Sequence, residues 1–243
     1  MRFGNLAVRA LLVLGAVLCC MPLQAQVSAR ACGPIKVEGD FGPYDYRTDK
    51  YFLPVVEKAH FTASVEALIR GKTGERVEPD LDYTLRKFPN HHRALAALLR
   101  LSNTQQRVHF QHLPLPVECY FERAVRFRND DAVARMIYVR FLIVQKRLDE
   151  ARSHLARVEE KGADSPLSLR NAGLLYLSMQ DYDKALELAH RVMAKGGLEE
   201  PLKGQLQAAG RWRDPVDGAT PAPGAVAPAA AASAVPAPAG DRP

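Results

Sequence analysis

The chain has 243 residues, with 33 Lys or Arg against 27 Asp or Glu and a net charge of +6. Its 4 cysteines and 16 glycines exclude a disulfide-rich miniprotein and collagen. Residues 26–213 hold 30 basic and 24 acidic residues, so the two signs are mixed rather than gathered into the positive field of a nucleic-acid-binding domain. The composition therefore indicates one globular domain of ordinary size and no nucleic-acid partner.

The start of the chain has the order of a secretory signal peptide. Arg2 and Arg9 precede an apolar run from Ala10 to Cys20, and small residues suited to cleavage follow at Ala25 and Ala29. The run is shorter than the ~20 residues that cross a bilayer. We therefore predict a periplasmic or secreted protein with no membrane span after cleavage; an uncleaved anchor is the alternative.

Two cysteines, Cys32 and Cys119, remain after cleavage. An even pair in an oxidising compartment favours one disulfide. Such a bond would close a long loop and stabilise the fold by ~4 kcal/mol in the chain-entropy model. The alternative is a buried thiol at one position and a thiol near the new terminus at the other.

Residues 33–79 show the least regular pattern. Gly39, Gly42 and Pro43 mark turns. Apolar residues in 55–59 and 63–69 predict two short helices that pack as an N-terminal cap.

Internal repetition organises the second half of the chain. Segments 148–158 and 182–192 match at an offset of 34, with small or apolar residues spaced four and then three apart. This spacing places them on one helical face. The same offset upstream falls on Val117, Phe121 and Ala124.

Each repeated segment follows another apolar stretch, at 132–144 and at 167–179, across a short link. Two helices joined so closely run antiparallel. Ala151 and Ala185 are predicted where the axes of each pair approach, and Gly173 removes a facing side chain from the opposing helix.

These features resemble the tetratricopeptide repeat family, in which 34-residue helical hairpins stack into a superhelix. Gly173, Tyr176, Tyr182, Ala185 and Val192 stand at the family's signature spacings. The resemblance predicts an all-α solenoid over residues 80–213. Its parts are a closing helix at 80–88, a leading helix at 91–101, an eight-residue insertion within 103–116 and a capping helix at 202–209.

Segments 41–47, 81–86 and 88–92 further resemble a group of exported bacterial tetratricopeptide proteins. The family resemblance implies a groove lined by the first helix of each hairpin, which binds a protein or peptide partner without catalysis, metal or cofactor. The groove residues it indicates are Met136, Arg140, Ile143, Arg170, Leu174 and Leu177.

Histidines supply the main chemical alternative. His91, His92, His109 and His112 lie in one repeat and its insertion, and Glu118 could join them as a metal ligand. Adjacent helical residues point about 100° apart, which opposes a shared ion at the first two. The alternative function is therefore a metal-binding or enzyme-accessory envelope protein.

Two further segments complete the organisation. Arg123, Arg126 and Arg128 form a basic cluster, interpreted as a solvated helix face or as a site for an anionic envelope polymer. The proline- and alanine-rich end is predicted to be disordered. The predicted divisions are a signal peptide at 1–25, an N-terminal extension at 26–79, repeats at 80–213 and a tail at 214–243.

Overall fold

The computed structural model describes residues 32–215, except 37, 73, 163 and 198. The predicted signal peptide and nearly all of the predicted tail lie outside these residues. Within them the chain forms ten helices and no strands, which confirms the all-α class. The helices are α1 (Leu53–His60), α2 (Ala63–Glu66), α3 (Glu78–Lys87), α4 (His92–Gln105), α5 (Val117–Phe127), α6 (Ala132–Val144), α7 (Leu148–Lys161), α8 (Pro166–Ser178), α9 (Tyr182–Ala194) and α10 (Leu202–Ala208).

Three alternate helices begin with the same kind of cap. The side chains of His91, Asp131 and Ser165 each accept a hydrogen bond from the backbone N–H three residues ahead, at 3.0 to 3.2 Å. Such caps satisfy N–H groups that the first helical turn leaves without a partner. Polar residues in these turns thus define where α4, α6 and α8 begin.

The later helices pack in pairs. α6 packs on α7 and α8 on α9, and both helices of the second pair begin 34 residues after their counterparts in the first. α4, α6 and α8 also contact one another in sequence, while α10 packs on α8 and α9. At the other end α1 packs on α3 and α2 on α4. None of these helices has the length and apolar character that a membrane span requires.

The small residues lie in the core, but Gly173 has a different neighbour from the one predicted. Ala151 and Ala185 are fully buried. A Cβ added at Gly173 would lie 2.5 Å from a methyl of Leu202 in α10 and 3.4 Å from Leu188 in α9. The closest neighbour of Gly173 is therefore Leu202 of α10, and not Ala185 of the paired helix α9.

The buried alanines provide a test of this packing. We expect Ala151→Leu and Ala185→Leu each to lower the free energy of unfolding by about 1 to 3 kcal/mol, because extra volume forces packed helices apart. Ala194→Leu, at an exposed position of α9, is the matched control and should change it by less than about 0.5 kcal/mol. Chemical denaturation measures all three, and neutral results at both buried sites would contradict the packing.

Candidate binding surface

The residues predicted to line the groove differ in accessibility. Arg140 is exposed on α6, whereas Met136 is only 7% exposed and packs in the core. Met136 thus supports the fold and offers little surface to a partner. The remaining four are partly buried: Ile143, Arg170, Leu174 and Leu177.

The accessible stripe of α6 is rotated from the predicted one. Val133, Ile137, Arg140 and Val144 follow each other at helical spacing. The two valines are 44% and 43% exposed, and Leu167 at the start of α8 is 58% exposed. The sequence interpretation missed these positions because it took its residues from family spacing, although the apolar stripe itself is visible in the sequence.

These side chains lie on neighbouring elements, because α6 and α8 contact each other, with α7 packed on both and α9 packed on α8. Adjacent helices stacked in this way add their exposed stripes together. We call this surface the α6–α8 face; it consists of Val133, Ile137, Arg140, Val144, Leu167, Arg170 and Leu174.

The charge on the α6–α8 face is positive. Arg140 forms neither a salt bridge nor a side-chain hydrogen bond within the described part of the chain. Arg170 donates from Nη1 to the Glu200 carbonyl at 3.3 Å, but its buried Nε has no partner among the described residues. Apolar area beside these two guanidinium groups suits a ligand that carries both apolar and acidic groups.

The residues before α1 contact α5 and the turn before α4, and we call residues 32–50 the N-terminal strap. The predicted disulfide is formed, with the Cα atoms of Cys32 and Cys119 5.0 Å apart. Arg123 donates to the Ile35 carbonyl at 3.2 Å and Arg126 to the Gly33 carbonyl at 2.8 Å. Arg123 is therefore buried beneath the strap, whereas Arg126 holds the strap from an exposed position.

A polar network secures the middle of the strap. Buried Asn90 donates to Asp45 and to Asp131, both at 2.8 Å. Arg47 and Arg128 also donate to Asp45, at 2.8 and 2.7 Å. Burial alone would raise the pKa of Asp45, but the hydrogen bonds from Arg47, Asn90 and Arg128 outweigh it and hold the pKa well below its ordinary value. The network joins the strap to the turns before α4 and α6.

His91 is a buried structural residue. Its Nδ1 accepts the N–H of Ala94, and its Nε2 donates to Glu57 at 3.1 Å. The ring lies 4.2 Å from that of Tyr46 and 4.8 Å from that of Phe61. Burial lowers the pKa of His91 to about 3, so the imidazole is neutral at ordinary pH.

Two of the other candidate metal ligands, His92 and Glu118, bond to different partners. His92 bonds to Asp131 at 2.9 Å, and Glu118 accepts from Tyr138 at 2.7 Å and from Arg147 at 2.6 Å. Between residues 32 and 215, outside the four omitted positions, no group of three or more His, Cys, Asp or Glu is placed to hold a metal ion.

Comparison with known proteins finds no matching family model, curated protein or solved structure.

Proposed function

We propose that this chain is an exported helical-repeat protein of the tetratricopeptide type that binds a peptide or protein segment along the α6–α8 face, without catalysis of its own. The 34-residue offset between the helix pairs supports the repeat. The disulfide agrees with an oxidising compartment, which is where the N-terminal sequence directs the protein.

The observation that carries the binding role is the exposure of Val133, Val144 and Leu167 on adjacent helices. Single exposed apolar residues are common on soluble proteins. Contiguous apolar area rimmed by charge instead marks interaction surfaces. Repeat folds present extended surfaces of this kind to linear segments. The partner segment is therefore apolar, with acidic groups placed to meet Arg140 and Arg170.

Charge reversal on the α6–α8 face tests the proposal. Arg140→Glu should weaken binding by the equivalent of about 2 to 5 kcal/mol if the contact is desolvated. Arg157→Glu is the matched control, because Arg157 lies on α7 and its side chain is 65% exposed. Arg123 cannot serve as a control because it is buried and holds the strap.

The measurement is crosslinking in intact cells followed by quantitative mass spectrometry, with circular dichroism to show that each variant keeps its helical content. We expect the partner crosslinked by the wild type to be lost from Arg140→Glu and from Leu167→Ser but retained by Arg157→Glu. Equal losses from Arg140→Glu and Arg157→Glu, with the crosslink retained by Leu167→Ser, would indicate diffuse attraction to charge. Retention by Arg140→Glu and Leu167→Ser would place binding elsewhere.

A further inference from the structure

A second exposed surface lies at the opposite end of the helix stack from α10. Aromatic side chains of the strap, of the turn before α1 and of α3 contact one another there, and Tyr51 is 84% exposed. Exposed large aromatics are costly to leave in water and are enriched at binding surfaces. We call this surface the aromatic patch; its members are Phe41, Tyr44, Tyr51, Phe52 and Tyr83.

The rings of the aromatic patch are held in place. Tyr44 and Phe52 stack with centroids 4.7 Å apart, and Tyr51 meets Phe52 edge-on at 4.8 Å. The backbone N–H of Tyr44 donates to the Lys87 carbonyl at 2.8 Å. The ammonium group of Lys87 lies 4.0 Å from the centre of the Phe41 ring. A preformed surface of rigid rings loses little conformational entropy when it binds a ligand.

Proline-rich chains match such a surface. Proline rings pack against aromatic faces, and the polyproline II conformation is already ordered before binding. This chain contains a segment of that composition at 216–243, with Pro-Ala-Pro at Pro221–Pro223 and again at Pro236–Pro238. The segment lies outside the described residues and follows Trp212, whose ring packs against His190 and Lys203 beside α9 and α10.

The segment is long enough to reach the aromatic patch in the same molecule. Extended as polyproline II at about 3.1 Å per residue, it spans roughly 85 Å. The contacts run from α10 through α8, α6, α4 and α3 to α1. At about 10 Å between neighbouring helices, that path is roughly 50 Å. A tethered segment also meets its site at a high effective concentration, which compensates for weak individual contacts.

We propose that the aromatic patch is the docking site of the chain's own proline-rich segment, residues 216–243, within one molecule. The surface is separate from the α6–α8 face, so the proposal does not depend on the proposed function. Proline rings lie against Tyr51 and Phe52, and the bound segment covers the apolar area that the helices leave exposed.

Photo-crosslinking of the full exported protein tests this docking. Tyr51 is replaced by p-benzoylphenylalanine, and the same probe at Ile69, also exposed, is the matched control. After irradiation, mass spectrometry should find the Tyr51 probe joined to residues 216–243 of the same chain, several-fold more often than the Ile69 probe. Replacing Pro221, Pro223, Pro236 and Pro238 with serine should abolish this crosslink.

The other outcomes overturn the proposal. Equal yields from the two probes would show random collision, and a product of doubled mass would place the segment of a second copy on the patch. Crosslinks to lipid, or mainly to residues before 216, would identify a different occupant. If the crosslink persists after the four serine substitutions, the prolines do not hold the segment on the aromatic patch.

Discussion

The Cys32→Ser, Cys119→Ser double variant is expected to lose about 4 kcal/mol of its free energy of unfolding in the chain-entropy model. The bond joins residues 87 positions apart, and removing it releases a long loop in the unfolded chain. Urea denaturation followed by circular dichroism measures the loss.

A reductant supplies the control for this result. It should destabilise the wild type by a similar amount and leave the double variant unchanged. Alkylation of the protein isolated without reductant should leave both cysteines unmodified. If the wild type has two reactive thiols, or the same stability before and after reduction, the disulfide is not part of the folded protein.

Arg147→Met should be the most damaging single change at an ion pair. Arg147 donates to Glu118 and to Glu150, both at 2.6 Å, and the side chains of Arg147 and Glu118 are only 10% and 9% exposed. Without the arginine, Glu118 stays buried with an uncompensated charge, which costs about 3 to 5 kcal/mol. Chemical denaturation provides the measurement. The control Arg157→Met breaks an exposed pair and should cost less than about 1 kcal/mol.

A second substitution separates charge from packing. Adding Glu118→Gln to Arg147→Met removes the buried charge and should restore part of the lost stability. If the double variant is no more stable than Arg147→Met, the loss comes from the arginine's packing, and the electrostatic explanation fails.

Local periodicity was enough to predict most of the helices. The apolar pattern predicted 132–144, and α6 spans Ala132–Val144. A helix of this length is defined by residues three and four apart, which the sequence shows directly. The neighbour of Gly173 could not be found in this way, because Leu202 approaches it from a helix outside the pair.

The strap shows the limit of that reasoning more clearly. The arginines of α5 were interpreted as a solvated face or as a site for an anionic polymer. Their partners in the structure are backbone carbonyls of residues far away along the chain. A carbonyl acceptor has no side-chain signature, so no pattern of residue types marks it. His91 was placed correctly at a helix start, but its burial depends on Tyr46 and Phe61, which only the folded chain brings to it.

For the α6–α8 face, the sequence predicted both helices and the place of Arg140 on α6. It did not predict which side of α6 is accessible to solvent. That side is decided by how α6 rotates against α7 and α8, a property of packing rather than of spacing. Met136 and Val133 are only three residues apart, and one is buried while the other is exposed.

The strap also affects which helices are expected to unfold together. In a linear array of repeats, each unit contacts only its neighbours, so units unfold one at a time from the ends. Here Asn90 ties Asp45 in the strap to Asp131 at the start of α6, and the disulfide fastens the strap to α5. We therefore expect helices α3 to α6 to exchange their amide hydrogens as one cooperative unit. We expect α8, α9 and α10, which the disulfide and this network do not reach, to open at lower free energy.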